Sequence, residues 1–189
     1  MKFLFFLICV VYFSMGCTSK NNVVDIIQQM KSIPVILPDS VLTLYNGRDT
    51  NIIEYENTRL KLVLYVDSNT CNTCFIDKLY LWKDLFKFRE EYNEELSLYF
   101  LFESSSSALA RISVSLREQE LNYPVRIDTL FQFSKLNSHI PTSSVYHTFL
   151  LDKDNNVLIV GNPMTNKKVE KLFMEVVNKN CQRSSLNNP

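Results

Sequence analysis

Two cysteines three positions apart, Cys71 and Cys74, carry the strongest chemical signal in this chain. A C-x-x-C pair sets two thiols one helical turn apart. One can attack a disulfide and the other can resolve the mixed disulfide that results. The attacking species is the thiolate. An ordinary cysteine has a pKa of about 8.5, which falls to about 3.5–7.5 where unpaired N–H groups at a helix N-terminus face the sulfur. Phe75, not histidine, follows Cys74, so covalent haem attachment at this pair is excluded. The other cysteines are Cys9 and Cys17 near the start and Cys181 near the end. Cys181 reads as an unpaired thiol at the edge of a loose tail.

Other chemistries are narrowed by what the chain lacks. Its 2 histidines, His139 and His147, cannot make an HExxH zinc site, although either could add a third ligand to the C-x-x-C pair. That set would suit a copper or zinc carrier. The 3 glycines, Gly16, Gly47 and Gly161, build neither a GxGxxG turn nor a phosphate-cradling loop. No G-x-S-x-G nucleophile elbow occurs. Lysine plus arginine equals aspartate plus glutamate at 20 each, so no global basic field draws in nucleic acid. No nucleic-acid partner, resident metal or cofactor is assigned.

The N-terminus reads as an export signal. Met1-Lys2 precedes an apolar run from Phe3 to Phe13 that is broken only by Cys9. The run is shorter than the roughly 20 residues a spanning helix needs. It closes on Ser14-Met15-Gly16-Cys17, which is similar to the lipobox of bacterial lipoproteins, with Cys17 the lipidated residue. The expected organisation is a signal at 1–16, a lipidated tether with a short helix at 17–39, one domain at 40–180 and a flexible tail at 181–189. The expected place is the cell envelope, on the periplasmic side of the inner or outer membrane. Disulfides are permitted there.

The elements that must position the cysteines follow from apolar spacing. Val23–Ser32 reads as a short helix, and residues 41–45 and 52–55 as short strands around Asn46-Gly47. Leu60–Val66 is almost wholly apolar, as a strand buried on both faces should be. Phe75, Leu79, Trp82 and Leu85-Phe86 predict one helix over about 72–93, with Trp82 in the core. Residues 96–102 and 125–128 read as further buried strands. Between them, Ser104–Ser107 reads as a loop and helix cap before Leu109, Ile112 and Leu116. A short helix at 129–137, a hairpin of 148–151 with 157–160, and a last helix opening near Thr165-Asn166 complete the chain. The order is β-α-β-α-β-α-β-β-α. It predicts an α/β, thioredoxin-like three-layer sandwich with a mixed central sheet and an N-terminal extension.

Three stretches carry a closer resemblance: LKLVLYVDSNTCNTC, PVRID and HTFLLDKDNNVLIVGNP. From about Ser40 to Lys179 the chain resembles the TlpA-like membrane-anchored thioredoxins, thiol-disulfide oxidoreductases of bacterial envelopes. The resemblance implies that Cys71 attacks and Cys74 resolves. It also implies envelope protein thiols or disulfides as substrates, and a separate redox partner. Three positions at the expected active-site edge depart from the family pattern. Thr70 replaces a tryptophan, Thr73 stands where thioredoxin has proline, and Tyr146 stands where a cis-proline precedes the hairpin. Pro141 lies five residues too early to supply it. His147, beside Tyr146, either faces Cys71 or is a buried hydrogen-bonding residue. Asp67 reads as a solvated strand-end carboxylate or a proton relay. The different-class expectation is a non-catalytic binding module or a Cys/His copper carrier on the same fold.

Overall fold

The structure is a computed structural model describing residues 18–50, 58–92, 95–121 and 123–182. The expected strand at 52–55 and the proposed lipidation site Cys17 lie outside the described residues. Seven strands form one sheet: β1 Leu42–Tyr45, β2 Arg48–Asp49, β3 Leu60–Val66, β4 Leu96–Glu103, β5 Pro124–Asp128, β6 Thr148–Asp152 and β7 Val157–Val160. Their order is β2-β1-β5-β4-β3-β6-β7. Strands β3, β4 and β5 run parallel, while β6, β7, β1 and β2 pair antiparallel to their neighbours. A parallel β3–β4 unit joined edge to edge with an antiparallel β6–β7 hairpin and a closing helix is the thioredoxin-like arrangement.

Central β3 explains the apolar run in the sequence, since all seven of its residues are buried. Its alternation divides the core. Leu60, Leu62, Leu64 and Val66 face a cluster with Ile76, Trp82, Ile112 and Phe173, whereas Val63 and Tyr65 face a second cluster with Met30, Phe133 and Phe149. Each side chain fully buried this way contributes roughly 1.5–3 kcal/mol. Helices α2 Asn72–Ile76, α3 Lys83–Glu90, α4 Leu109–Glu118 and α6 Lys167–Asn180 cover the first face. Helices α1 Thr18–Ser32 and α5 Gln132–Leu136 cover the second. Helix, sheet and helix make three layers.

The single helix expected over 72–93 is instead three pieces: α2, a 3-10 turn at Leu79–Trp82, and α3. The reason is the spacing of the apolar residues. Ile76, Leu79, Trp82 and Leu85 are all buried and lie exactly three apart. A helix of 3.6 residues per turn would rotate each successive one away from the sheet. A 3-10 segment of 3.0 residues per turn keeps them facing it. The serine run also differs from expectation. Ser106–Ala108 form a 3-10 turn before α4, with no side-chain cap, and the Ser105 and Ser107 hydroxyls bond each other at 2.9 Å. The last helix opens where expected, with Asn166 as its N-cap: Asn166 Oδ1 accepts from Lys168 N and Val169 N.

The N-terminal extension is docked on the domain. Helix α1 begins at Thr18, earlier than the apolar pattern indicated, and it buries Met30 completely. Beyond it the Asn137 amide clasps Ile36, accepting from its N–H and donating to its carbonyl, each at 2.8 Å. Val35 N donates to Asn155 O at 2.9 Å. At the other sheet edge, the Asn46-Gly47 turn of the β1–β2 hairpin presses against α4. Gly47 has φ +66, and a Cβ there would sit 2.1 Å from Ser113 O. Gly47→Ala is therefore expected to destabilise the domain by about 2–4 kcal/mol, from backbone strain and overpacking together. A urea midpoint within error of the unmodified chain would refute that contact.

Candidate active site

The parallel strands end together. Val66 of β3 pairs with Phe102 of β4, and Asp128 of β5 with Glu103. Antiparallel β6 starts at the same edge, where Thr148 pairs with Leu64, and β7 ends there, where Val160 pairs with Phe149. The C-x-x-C loop emerges from this edge. Asp67 makes the turn that aims it, since its Oδ1 accepts from Thr70 N at 2.9 Å and from Thr70 Oγ1 at 2.7 Å. Thr70 N also lies 3.1 Å from Asp67 O, so the carboxylate reinforces a β-turn over residues 67–70. Asp67 is thus not a free solvated carboxylate: its side chain holds Thr70.

Cys71 and Cys74 are joined as a disulfide with Cα atoms 5.3 Å apart, and both residues are exposed. Cys71 is the N-cap of α2. Its Sγ accepts from Cys74 N at 3.3 Å, and the Thr73 hydroxyl lies 3.6 Å away. A disulfide sulfur has no hydrogen, so the hydroxyl is the donor of that pair. Both cysteines are open to solvent, so access does not distinguish them. The two donors converging on Cys71 Sγ do, because they would stabilise negative charge there once the bond is reduced.

Beneath the loop lies a polar network. Asn72, between the two cysteines, donates from Nδ2 to Glu103 O at 3.2 Å. The Glu103 residue is 2% exposed, and its carboxylate accepts from Ser134 N at 2.8 Å. Burial, and then a hydrogen bond to Glu103, push the Tyr65 phenol well above its usual pKa, so it stays neutral and donates. Asp128, fully buried, accepts from Leu130 N at 3.1 Å and Phe133 N at 2.8 Å. Two carboxylates, paired across β4 and β5, thus hold the start of α5. Sequence reasoning did not single out Glu103 as a site residue. Its signal was an acidic residue ending an otherwise apolar strand, LSLYFLFE.

Tyr146 and His147 lie toward the other face of the sheet. Ser144–Tyr146 form a 3-10 turn, and Tyr146 is half-buried against the second cluster. His147 is 4% exposed, and its ring stands 4.7 Å from that of Tyr65. Its Nε2–H donates to Pro141 O at 2.9 Å, which fixes the tautomer, and its carbonyl accepts from Tyr65 N at 2.9 Å. The imidazole is thereby held in the core as a hydrogen-bonding residue. His139 is half-buried, and burial lowers its pKa. Among the described residues no group of three or more His, Cys, Asp or Glu side chains converges as a metal site.

Cys181 is a free thiol but not a loose one. It packs at the base of α6, 7% exposed, with its sulfur 3.6 Å from Glu95 O. Burial, and then the Glu95 charge, push its pKa up to about 11. At pH 8 only about one thiol in a thousand would be ionised. After mild reduction, iodoacetamide is expected to label Cys71 and Cys74 while the folded chain leaves Cys181 unmodified. Equal labelling of all three by peptide mass mapping would contradict this burial.

No family model matches the chain. No curated protein matches it. Among solved structures, the thioredoxin domain of a thiol-disulfide oxidoreductase from Bacteroides vulgatus is 13% identical with a TM-score of 0.45, covering 72% of this chain and 98% of that one. An uncharacterized thioredoxin-like protein from Porphyromonas gingivalis is 11% identical with a TM-score of 0.47, covering 76% and 91%. A hypothetical protein from Sinorhizobium meliloti is 17% identical with a TM-score of 0.48, covering 83% and 90%. The thioredoxin-like fold of this chain rests on its own strand order and on the C-x-x-C loop leaving the end of β3.

Proposed function

We propose that this chain is a thiol-disulfide oxidoreductase that exchanges or reduces disulfides of envelope proteins through Cys71 and Cys74. The observation that carries this reading is the exposed Cys71–Cys74 pair with two donors converging on Cys71 Sγ. In the reducing direction, the Cys71 thiolate attacks a substrate disulfide and one substrate thiolate leaves. The Cys74 thiolate then attacks Cys71 Sγ, closing the intramolecular disulfide and releasing the second substrate thiol. Two electrons and two protons pass to the substrate, and a dithiol partner must restore them. In the oxidising direction the same bonds change in reverse. Equilibration with glutathione tests the reading directly. A potential near about −270 mV suits a reductant and one near about −120 mV an oxidant. A pair that does not equilibrate with glutathione would instead favour the non-catalytic module, and copper or zinc retained in stoichiometric amount would favour the carrier.

The proposal includes a lipid anchor on Cys17, supported by the order of charge, apolar run, small residue and cysteine at the N-terminus. Two or three acyl chains, at about 0.8 kcal/mol per buried methylene, would hold the chain firmly to a membrane. Cys17→Ser is expected to abolish palmitate incorporation and to release the protein from the membrane fraction or leave it unprocessed. Undiminished labelling of that variant would remove the anchor from the proposal.

A further inference from the structure

Helix α1 runs off the end of the domain. Its core-facing stripe is Met30, the pair Ile26-Ile27, and Val23, at the spacings of three, four and seven that one helix face requires. Burial fades along that stripe toward the N-terminus. Met30 is completely buried, Ile26 and Ile27 are half-buried, and Val23 is 46% exposed. Val23 stands about two turns before Met30, so it points the same way and is nonetheless left open. Beside it Val24 is 56% exposed. At about 100° per residue, Val24 lies roughly 120° around the axis from Met30, on a stripe it shares with the exposed Lys31. Asn22 and Asp25, also exposed, fall on the opposite side from the two valines. The projecting end of α1 is therefore amphipathic, with an apolar side that the fold does not use.

What precedes this end decides its occupant. Thr18, the first residue of α1, directly follows Cys17, and before that comes the apolar run Phe3 to Phe13. Val24 is only about 9 Å along the helix axis from Thr18. A helix on a membrane surface buries its apolar side roughly 5–10 Å into the boundary between headgroups and acyl chains. Acyl chains on Cys17 would thus bring Val23 and Val24 within reach of that boundary. The Lys31 ammonium, on the stripe of Val24, suits the phosphates found there.

Resting on the lipid anchor proposed at Cys17, we infer that the projecting end of α1 lies in the headgroup layer of the membrane. Val23 and Val24 turn into the lipid, and Asn22 and Asp25 turn toward water. The other end of the extension is fixed to the domain, by the burial of Met30 and by the Asn137 clasp on Ile36. The helix therefore joins membrane and domain as a stiff arm, and the C-x-x-C pair is not swung on a loose tether.

The test uses the full lipidated chain, with its Cys71–Cys74 disulfide closed, in vesicles of phosphatidylcholine. Asn22→Cys, Val23→Cys, Val24→Cys and Asp25→Cys each carry an environment-sensitive fluorophore, and buried Cys181 stays unlabelled. Leu172→Cys, at an exposed position of α6 on the opposite face of the sheet, is the control. Emission is read with and without lipids that bear a nitroxide just below the headgroup. Quenching at positions 23 and 24 should exceed that at 22 and 25 by about threefold, with none at 172. Equal quenching at all four helix positions would reveal a loose tether lying on the surface and would overturn the inference. So would quenching at none of them in chains that float with the vesicles. A fluorophore at position 24 that is shielded more as protein concentration rises, yet is not quenched by nitroxide, would put a second copy on this face and also overturn it. Flotation separates the two readings. Chains that neither float nor take up palmitate remove the anchor and this inference together, whereas floating chains without the pattern remove only the inference.

Discussion

Cys74→Ser is expected to accumulate mixed disulfides through Cys71, whereas Cys71→Ser should accumulate few and lose exchange on the order of 10³-fold, to the uncatalysed background. The asymmetry follows from the loop and not from burial, since both cysteines are exposed. Cys74 N and the Thr73 hydroxyl both donate to Cys71 Sγ, and Cys71 is the N-cap of α2. With Cys74 replaced, attack proceeds but nothing displaces the partner, so the adduct persists. With Cys71 replaced, the remaining thiol lacks both donors and forms fewer adducts. Non-reducing gels of cells carrying each variant read this out. Equal and negligible trapping by both would remove catalysis from the pair and leave a binding module on the same fold.

How legible this arrangement is in the residues depends on how local each cause is. The buried strands announce themselves, because LKLVLYV and LSLYFLF leave no polar face to expose. The C-x-x-C loop at the end of β3 follows at once. Helix pieces are harder, because Phe75, Leu79, Trp82 and Phe86 also recur at α-helical spacing beside the residues three apart. Only packing on a flat sheet separates them. The Asp67 turn is local and could be read from an Asp-x-x-Thr spacing just ahead of Cys71. The docking of the N-terminal extension could not, because Asn137 grips Ile36 across 101 positions. The histidine before the hairpin lay between two readings for the same reason. Its direction depends on Pro141 O and on the Tyr65 ring, which only the folded chain brings to it.

Asp128→Ala should destabilise the domain by about 2–5 kcal/mol, because a fully buried carboxylate there satisfies two backbone donors, the one from Phe133 itself buried. Leu130 N and Phe133 N would be left without their acceptor. Between them Phe131 sits at φ 55, a left-handed conformation that a bulky side chain adopts only when its surroundings impose it. The same turn sets where the exposed Leu130 projects. Asp128→Asn keeps the shape but loses one acceptor oxygen, so it should cost less, about 1–3 kcal/mol. Phe131→Gly in the Asp128→Ala background separates the two causes. If strain in the turn is part of the loss, glycine recovers about 1 kcal/mol by allowing positive φ freely, against the cost of truncating a half-buried ring. Urea midpoints of the four proteins order the contributions. An Asp128→Ala midpoint equal to that of the unmodified chain would mean that the carboxylate does not hold the turn, and that Leu130 is placed by the apolar packing of α5 alone.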